Sequence, residues 1–220
     1  MSAALVAGCS KSSNQQSGSP LPDAATLLNQ SAQTTRGLKS AHLELAVQGK
    51  IQGLPIQTLT GDLTNNPAVA AKGHTRLTLA GDAAEADFVV LDGTLYGSLD
   101  PNSWNNFGPA SDIYDVSVIL NPDAGLANIL SNFASPKADS RETINGVQTI
   151  KVTGQVSADA VNKIAPKVAT SGTVPGTAWI REDGNHDLVQ AKLEPSPGNS
   201  IQMTLSKWNE PVTVEKPPGV

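Results

Sequence analysis

The chain has 220 residues, a formal net charge of −5 at pH 7 and a pI near 5.1. Its 15 basic residues are scattered, whereas phosphate binding requires clustered Lys and Arg, so nucleic acid is excluded as the main partner. No apolar run approaches the roughly 20 residues that span a bilayer, so a membrane attachment would have to be a covalent lipid. This length suffices for one domain or two small ones.

The single cysteine, Cys9, ends the sequence Leu5-Val6-Ala7-Gly8-Cys9. An apolar residue, small residues and then cysteine form the lipobox of bacterial lipoproteins, where cleavage falls on the N-terminal side of the cysteine and its thiol and new amine receive acyl chains. Residues 10–22 are mostly Ser, Gln, Asn, Gly and Pro, a composition typical of a flexible tether. We therefore predict that Cys9 is lipidated and anchors the protein to the membrane; the alternative is a small buried cysteine.

Only eight residues precede Cys9, and they contain neither a basic n-region nor a full apolar h-region. We interpret residues 1–8 as a truncated signal peptide, residues 9–22 as the lipidated cysteine and its tether, residues 23–216 as one folded domain, and residues 217–220 as a tail. If Met1 were the true start, export by this route would fail and the protein would stay inside the cell.

The first half of the domain predicts one helix and then a meander of strands. The spacing of Leu27, Leu28 and Ser31 predicts a helix over residues 23–36 that stops at Gly37. Alternating apolar residues then predict strands over residues 42–48, 57–64, 75–79, 86–91 and 94–99. Asp92-Gly93 predicts a two-residue hairpin turn. Five strands joined by short turns indicate an antiparallel meander.

The second half predicts helices and strands in alternation. A short helix is expected within residues 113–120, a second helix from Asn121-Pro122-Asp123 through Phe133, and a third over residues 158–165. Strands are expected over residues 140–144, 147–156, 177–181, 188–194 and 200–205, with Asn145-Gly146 as a turn. The pattern predicts an α+β protein with helices on one face of a large antiparallel sheet.

The sequence shows no motif for catalysis or metal binding. His42, His74 and His186 each stand alone, without a second His or Cys at ligand spacing, so we interpret them as surface or strand-edge residues. A Gly-x-Ser-x-Gly elbow and a Gly-rich phosphate loop are absent from the sequence. We predict that the protein is not an enzyme and needs no metal or cofactor.

Aromatic residues make up only 4% of the chain, although strands usually enrich them. An interior lined by such a sheet is difficult to fill to normal packing density. Two explanations stay open at this point: aliphatic side chains fill the interior, or part of it is left for an apolar ligand.

Several stretches resemble the mycobacterial LppX/LprA/LprF/LprG lipoprotein family, in order and spacing from Pro20 to near the C terminus. They are residues 37–42 (GLKSAH), 61–67 (GDLTNNP), 86–90 (ADFVV), 107–110 (FGPA), 113–115 (IYD), 121–128 (NPDAGLAN), 143–146 (TING) and 202–208 (QMTLSKW). The resemblance implies a single-domain antiparallel β half-barrel curled around α-helices. It also implies a large hydrophobic cavity, as in the lipoprotein carriers LolA and LolB.

The same resemblance implies a function in the cell envelope. It implies binding of acylated glycolipids or triacylglycerol, including phosphatidylinositol mannosides, lipomannan and lipoarabinomannan. A major-facilitator lipid exporter is the implied partner, and members of the family act as Toll-like receptor 2 agonists. We expect a monomer, anchored through acylated Cys9 on the outer, periplasmic face of the cell membrane.

Because strand side chains alternate, one apolar set from each strand must face the cavity. The thirteen candidates for this lining are Leu43, Leu45, Val47, Leu59, Leu63, Leu77, Leu79, Phe88, Val90, Ile150, Val152, Leu193 and Met203. The alternative for each is ordinary core packing. For the whole protein, the alternatives are a structural or adhesive envelope lipoprotein without cargo and an enzyme that modifies glycolipids.

Overall fold

Eleven antiparallel strands form one open sheet in the computed structural model, which describes residues 19–79, 81–100 and 103–220. The strands are β1 (Ser40–Gln48), β2 (Ile56–Thr64), β3 (Ala70–Leu79), β4 (Asp82–Leu91), β5 (Thr94–Asp100), β6 (Ser103–Pro109), β7 (Phe133–Ile144), β8 (Val147–Val156), β9 (Val174–Arg181), β10 (Leu188–Ser196) and β11 (Asn199–Ser206). Their order is β6-β5-β4-β3-β2-β1-β11-β10-β9-β8-β7. The first and last strands therefore pair in the middle of the sheet, while β6 and β7 form its edges.

Three α-helices accompany the sheet: α1 (Ala24–Arg36), α2 (Leu126–Ser131) and α3 (Ala158–Ile164). The Asp23 carboxylate caps α1 by accepting a hydrogen bond from the Thr26 N–H at 2.8 Å, and this bond lowers the pKa of Asp23. The Ser157 hydroxyl caps α3 in the same way, at 3.3 Å from the Ala160 N–H. The predicted starts of both helices are confirmed.

Two predicted hairpin turns are confirmed by their backbone angles. Asp92 and Gly93 have φ values of 51° and 75°, and Asn145 and Gly146 have values of 48° and 82°. Positive φ at both central residues is the signature of the type I′ turn, whose twist matches that of the flanking strands. These turns set the β4–β5 and β7–β8 registers.

The hydrophobic core lies between the helices and one face of the sheet, which we call the inner face. Leu27 and Leu28 of α1, together with Ile129 and Leu130 of α2, join one cluster of buried residues with strand residues such as Ile150. Because α1 packs against α2, β7 and β9, the helical layer is centred over that side of the sheet. The predicted fold class, an α+β half-barrel with helices on one face, is confirmed, while the large hydrophobic cavity stays a prediction.

A hydrogen bond from Tyr114 connects α3 to the segment that lies between β6 and α2. The Tyr114 hydroxyl donates a 2.8 Å hydrogen bond to the Ile164 carbonyl, and burial raises the pKa of Tyr114 far above its usual range. Since Ile164 closes α3 and belongs to the core, this bond joins two parts of the helical layer.

The helix predicted from Asn121 through Phe133 is wrong at both ends. The Asn121 side chain accepts hydrogen bonds from the N–H groups of Asp123 and Ala124, at 2.9 and 3.1 Å, and so shapes a turn. The helix begins only at Leu126, because Gly125 lies tightly against the carbonyls of Val118 and Ile119. Phe133 already belongs to β7.

The segment over residues 113–120 and strand β6 also differ from expectation. The helix expected over residues 113–120 is replaced by short 3-10 turns, at Ala110–Asp112 and Val116–Val118. Strand β6 was not predicted, because its sequence SWNNFGP is rich in residues that disfavour strands. Its pairing with β5 overrides that local preference.

Candidate functional site

The strand register places all thirteen predicted lining residues on the inner face. One continuous row of residues across the sheet shows this alignment, because each residue in the row is the register partner of the residue on the next strand. Across eight strands, from β8 to β4, the row consists of Val152, Ala178, Ala191, Met203, Leu45, Leu59, Thr75 and Ala86. With the exception of Thr75, it contains only apolar side chains.

The thirteen residues fall into two groups by burial. Five are at most 3% exposed and form part of the hydrophobic core; they are Leu43, Leu63, Val90, Ile150 and Val152. Leu79 is 43% exposed, and the other seven are half-buried; they are Leu45, Val47, Leu59, Leu77, Phe88, Leu193 and Met203. The buried five already contact the protein's own side chains, as in ordinary core packing, and contact with a ligand stays a prediction for all thirteen.

The less buried residues of β1, β2 and β3 form an apolar area outside the core cluster. We call this area the open apolar surface and define it by Leu45, Val47, Ile56, Leu59, Leu77 and Leu79. It continues the inner face beyond the part that the helices cover. Such a surface can hold an apolar ligand, and its six side chains contain no group that could transfer a proton.

Two glycines allow the sheet to curl beside this surface. Gly61 of β2 and Gly73 of β3 are register partners on the inner face. A Cβ on Gly61 would collide with the Lys72 carbonyl oxygen, and one on Gly73 with the Thr60 carbonyl oxygen. Only glycine permits strands to approach so closely at a bend, so this pair supports the curvature of the inner face.

Several inner-face residues were missed by sequence reasoning. Ile56 is the register partner of Leu77, and Ile201 that of Val47. Leu99 and Phe107 are 55% and 53% exposed. Phe107 lies on the inner face, because a Cβ on the inner-face Gly97 would lie 2.8 Å from its ring. The Asp92-Gly93 turn could have revealed Leu99, because it sets Leu95 opposite Val90 and Leu99 follows on the same face.

The outer face of the sheet carries mostly polar side chains over the central strands. A shallow hollow of about 290 Å³ lies there; it is bordered by the outer-face residues Glu44, Ala46, Thr58, Thr60, His74, Gln202 and Thr204, and also by Leu45 and Leu59. Near it, the Nδ1 atom of His42 lies 2.7 Å from Asp62, and that of His74 lies 2.9 Å from Asp87. His42 and His74 were predicted to lie at the surface or at a strand edge. They lie at the surface, in central strands of the sheet and not at its edge.

The structure offers little for metal binding or for a membrane span. Within residues 19–79, 81–100 and 103–220, no group of three His, Cys, Asp or Glu side chains could hold a metal ion. Over the same residues, none of the helices has the length and apolar character needed to cross a bilayer. The predicted lipidation site, Cys9, lies outside the described residues.

These residues build an open antiparallel half-barrel. Its inner face is apolar, and helices pack on part of that face. The family model described as LppX_LprAFG lipoprotein matches residues 23–214. The chain belongs to this lipoprotein family, so the resemblance deduced from the sequence motifs is confirmed.

Individual relatives and solved structures agree with this assignment. The chain is 56% identical over 218 residues to the protein named lipoarabinomannan carrier protein LprG of Mycobacterium tuberculosis, covering 99% of this chain and 92% of the relative. It is 58% identical to the LprG protein of Mycolicibacterium smegmatis, covering 98% and 91%. These relatives are named as carrier proteins, not as enzymes.

Two crystal structures of family members share the fold. LprF from Mycobacterium bovis superposes with a TM-score of 0.83 at 30% identity, covering 92% of this chain and 100% of LprF. The lipoprotein LppX from Mycobacterium tuberculosis superposes with a TM-score of 0.68 at 33% identity, covering 87% and 97%.

Proposed function

We propose that the protein is a carrier that binds the acyl chains of envelope glycolipids against its inner face and transfers these lipids across the cell envelope. The acyl tails lie on the open apolar surface of the inner face, beside the packed core, while the sugar head group stays at the opening. No covalent bond is made or broken. The cargo class comprises triacylated glycolipids such as phosphatidylinositol mannosides, lipomannan and lipoarabinomannan, and also triacylglycerol.

The observation that supports this proposal most directly is the open apolar surface. Leucines at half-buried inner positions, such as Leu45 and Leu59, would be covered by protein if the sheet served only as a scaffold. A sixteen-carbon chain gains about 12 kcal/mol when its methylenes leave water, at roughly 0.8 kcal/mol each. Contact with acyl chains would therefore stabilise both the surface and the lipid.

The names of the relatives support the cargo class. Proteins 56–58% identical to this chain over nearly its whole length are named lipoarabinomannan carriers. We further propose that acylated Cys9 anchors the protein at the outer face of the cell membrane. In this arrangement the protein acts as a monomer and delivers its lipid together with a major-facilitator exporter.

Native mass spectrometry of the full chain carrying Cys9→Ser, purified from a mycobacterial host, tests the proposal. A bound acylated lipid of defined mass is the expected result. Protein with nothing bound would instead support the structural or adhesive alternative, and a shortened lipid product would support the enzyme alternative. Either of these two results would overturn the carrier function.

Replacing Leu79 by tryptophan is expected to lower the amount of co-purified lipid by roughly half while the fold survives. Leu79 is 43% exposed at the end of β3, so the larger ring occupies space at the open apolar surface without disturbing the core. The measurement is the lipid-to-protein ratio by mass spectrometry, with circular dichroism to follow folding.

Arg76→Trp is the matched control, because Arg76 is an exposed outer-face residue of the same strand. Its lipid content should equal that of the unsubstituted protein. Unchanged lipid in a folded Leu79→Trp variant would remove Leu79 from the binding surface.

A further inference from the structure

The connection between β1 and β2, residues 49–55, is held by hydrogen bonds at its two ends. At the first end, the Lys50 N–H donates to the Asn199 side-chain oxygen at 2.9 Å. At the other, the Thr78 N–H donates to the Pro55 carbonyl at 2.9 Å. Between them, residues 51–54 form a turn closed by a 3.1 Å hydrogen bond from the Leu54 N–H to the Ile51 carbonyl.

The tip of this turn reaches the helical layer. A Cβ on Gly53 would lie 3.3 Å from both the Cβ and the carbonyl oxygen of Lys167. Lys167 belongs to the 3-10 turn Pro166–Val168 that follows α3, and the neighbouring Val168 packs against the core. A turn of the sheet therefore meets a turn of the helical layer.

The position of this contact relates it to the open apolar surface. The connection follows Gln48, one residue after Val47, and enters β2 at Ile56, and both Val47 and Ile56 belong to that surface. The two turns therefore meet beside one end of the open apolar surface. Acyl chains that pass this end must separate the two turns.

The contact is built so that it can separate. Among the hydrogen bonds and ion pairs of the described residues, none joins residues 51–54 to Pro166–Val168, so only van der Waals contact holds the turns together. Gly49 and Gly53 have φ values of 77° and 79°, in a region that favours glycine. Gly49 precedes the turn and Gly53 lies within it, at the contact itself, where a change of backbone angle moves Gly53 away from Lys167.

We propose that residues 51–54 and the turn Pro166–Val168 form a removable closure at one end of the lipid-binding space, which opens for an acylated lipid to enter or leave. This inference rests on the proposed carrier function. It assigns the regulation of access to a contact between residues that are not among the predicted lining residues.

A reversible crosslink tests the closure in the full chain carrying Cys9→Ser, with Gly53→Cys and Lys167→Cys added. The 3.3 Å separation of the two Cβ positions is close to the roughly 3.5–4.5 Å of disulfides, and Cys9→Ser removes the sole native thiol. The probe is pyrene-labelled phosphatidylinositol in phosphatidylcholine vesicles. Uptake is followed by the fluorescence change as the probe leaves the vesicle.

The oxidised double variant is expected to take up the probe more slowly by on the order of tenfold, and dithiothreitol should restore the rate. Both single variants should show equal rates with and without oxidant. Equal rates for the oxidised and reduced double variant would overturn the closure while leaving the carrier function intact. Absence of uptake by the unlinked protein would instead contradict the carrier function, and it would contradict the closure as well.

Thiol titration shows whether the link has formed. If oxidation leaves both thiols free, a short bismaleimide is used as the crosslinker, because it tolerates the strained backbone at position 53. Failure of both reagents to join the two cysteines would show that the turns do not meet in solution, and this too would overturn the proposal.

Discussion

Glutamate in place of Leu59 is expected to weaken binding of acylated lipid about 100-fold without unfolding the protein. Leu59 is half-buried on the open apolar surface, between its register partners Leu45 and Thr75. The substitution removes a leucine contact worth about 1.5–3 kcal/mol and forces an acyl chain to lie against a carboxylate that must lose water. Because each 1.4 kcal/mol is about tenfold in affinity, the combined effect reaches about two orders of magnitude. Titration with pyrene-labelled phosphatidylinositol measures it.

Thr58→Glu provides the control for this variant. Thr58 is the preceding residue of β2, and its exposed side chain lies on the outer face. The control introduces the same charge one position away, so general electrostatic effects on vesicles or lipids are matched. Equal weakening by both substitutions, or full affinity in Leu59→Glu, would contradict binding at the open apolar surface.

Gly125→Ala is expected to destabilise the protein by about 3 kcal/mol. The added methyl group would collide with the carbonyl oxygens of Val118 and Ile119, which belong to the backbone and cannot swing aside. The Ile119 carbonyl also accepts the 3.0 Å hydrogen bond from the Leu126 N–H that begins α2. Since α2 supplies Ile129 and Leu130 to the core, the strain reaches the helical layer. Urea unfolding measures the loss.

Gly172→Ala is the corresponding control. No atom of another residue lies within 4 Å of its added Cβ, and the φ value of Gly172 is not positive. Its free energy of unfolding should stay within about 0.5 kcal/mol of the unsubstituted protein. A Gly125→Ala variant as stable as this control would show that the turn before α2 can relax.

Features decided by neighbouring residues could be predicted from the sequence. The Asp92-Gly93 turn follows from the ability of these two residues to adopt positive φ, and the start of α1 follows from the Asp23 cap. Strand β6 and the late start of α2 could not be predicted, because they depend on contacts with distant segments. β6 is held by β5, and Gly125 lies against the carbonyls before it.

The face of the sheet that carries the candidate site could be predicted from the sequence, but the exposure of the residues on that face could not. Alternation correctly assigns Leu43 and Leu45 to the same face of β1, yet Leu43 is 3% exposed and Leu45 is half-buried. What separates them is the extent of the helical layer, and two of its three helices, α2 and α3, come from segments far along the chain. Period-two patterning identifies a face of a strand, but it carries no information on which part of that face another element covers.

The pairing of β1 with β11 has a consequence for assembly. Its register partners run from His42 with Ser206 to Gln48 with Ser200, so the central seam joins the two extremities of the domain. Strands β1–β6 and β7–β11 each pair in sequence order, with α3 between β8 and β9, so each half can form from segments that are close in the chain. The seam instead requires a loop closure spanning nearly the whole polypeptide. A nascent chain therefore reaches its native sheet only after the ribosome has released the last strand, and a product shortened before β11 would leave two half-sheets with unpaired, aggregation-prone borders.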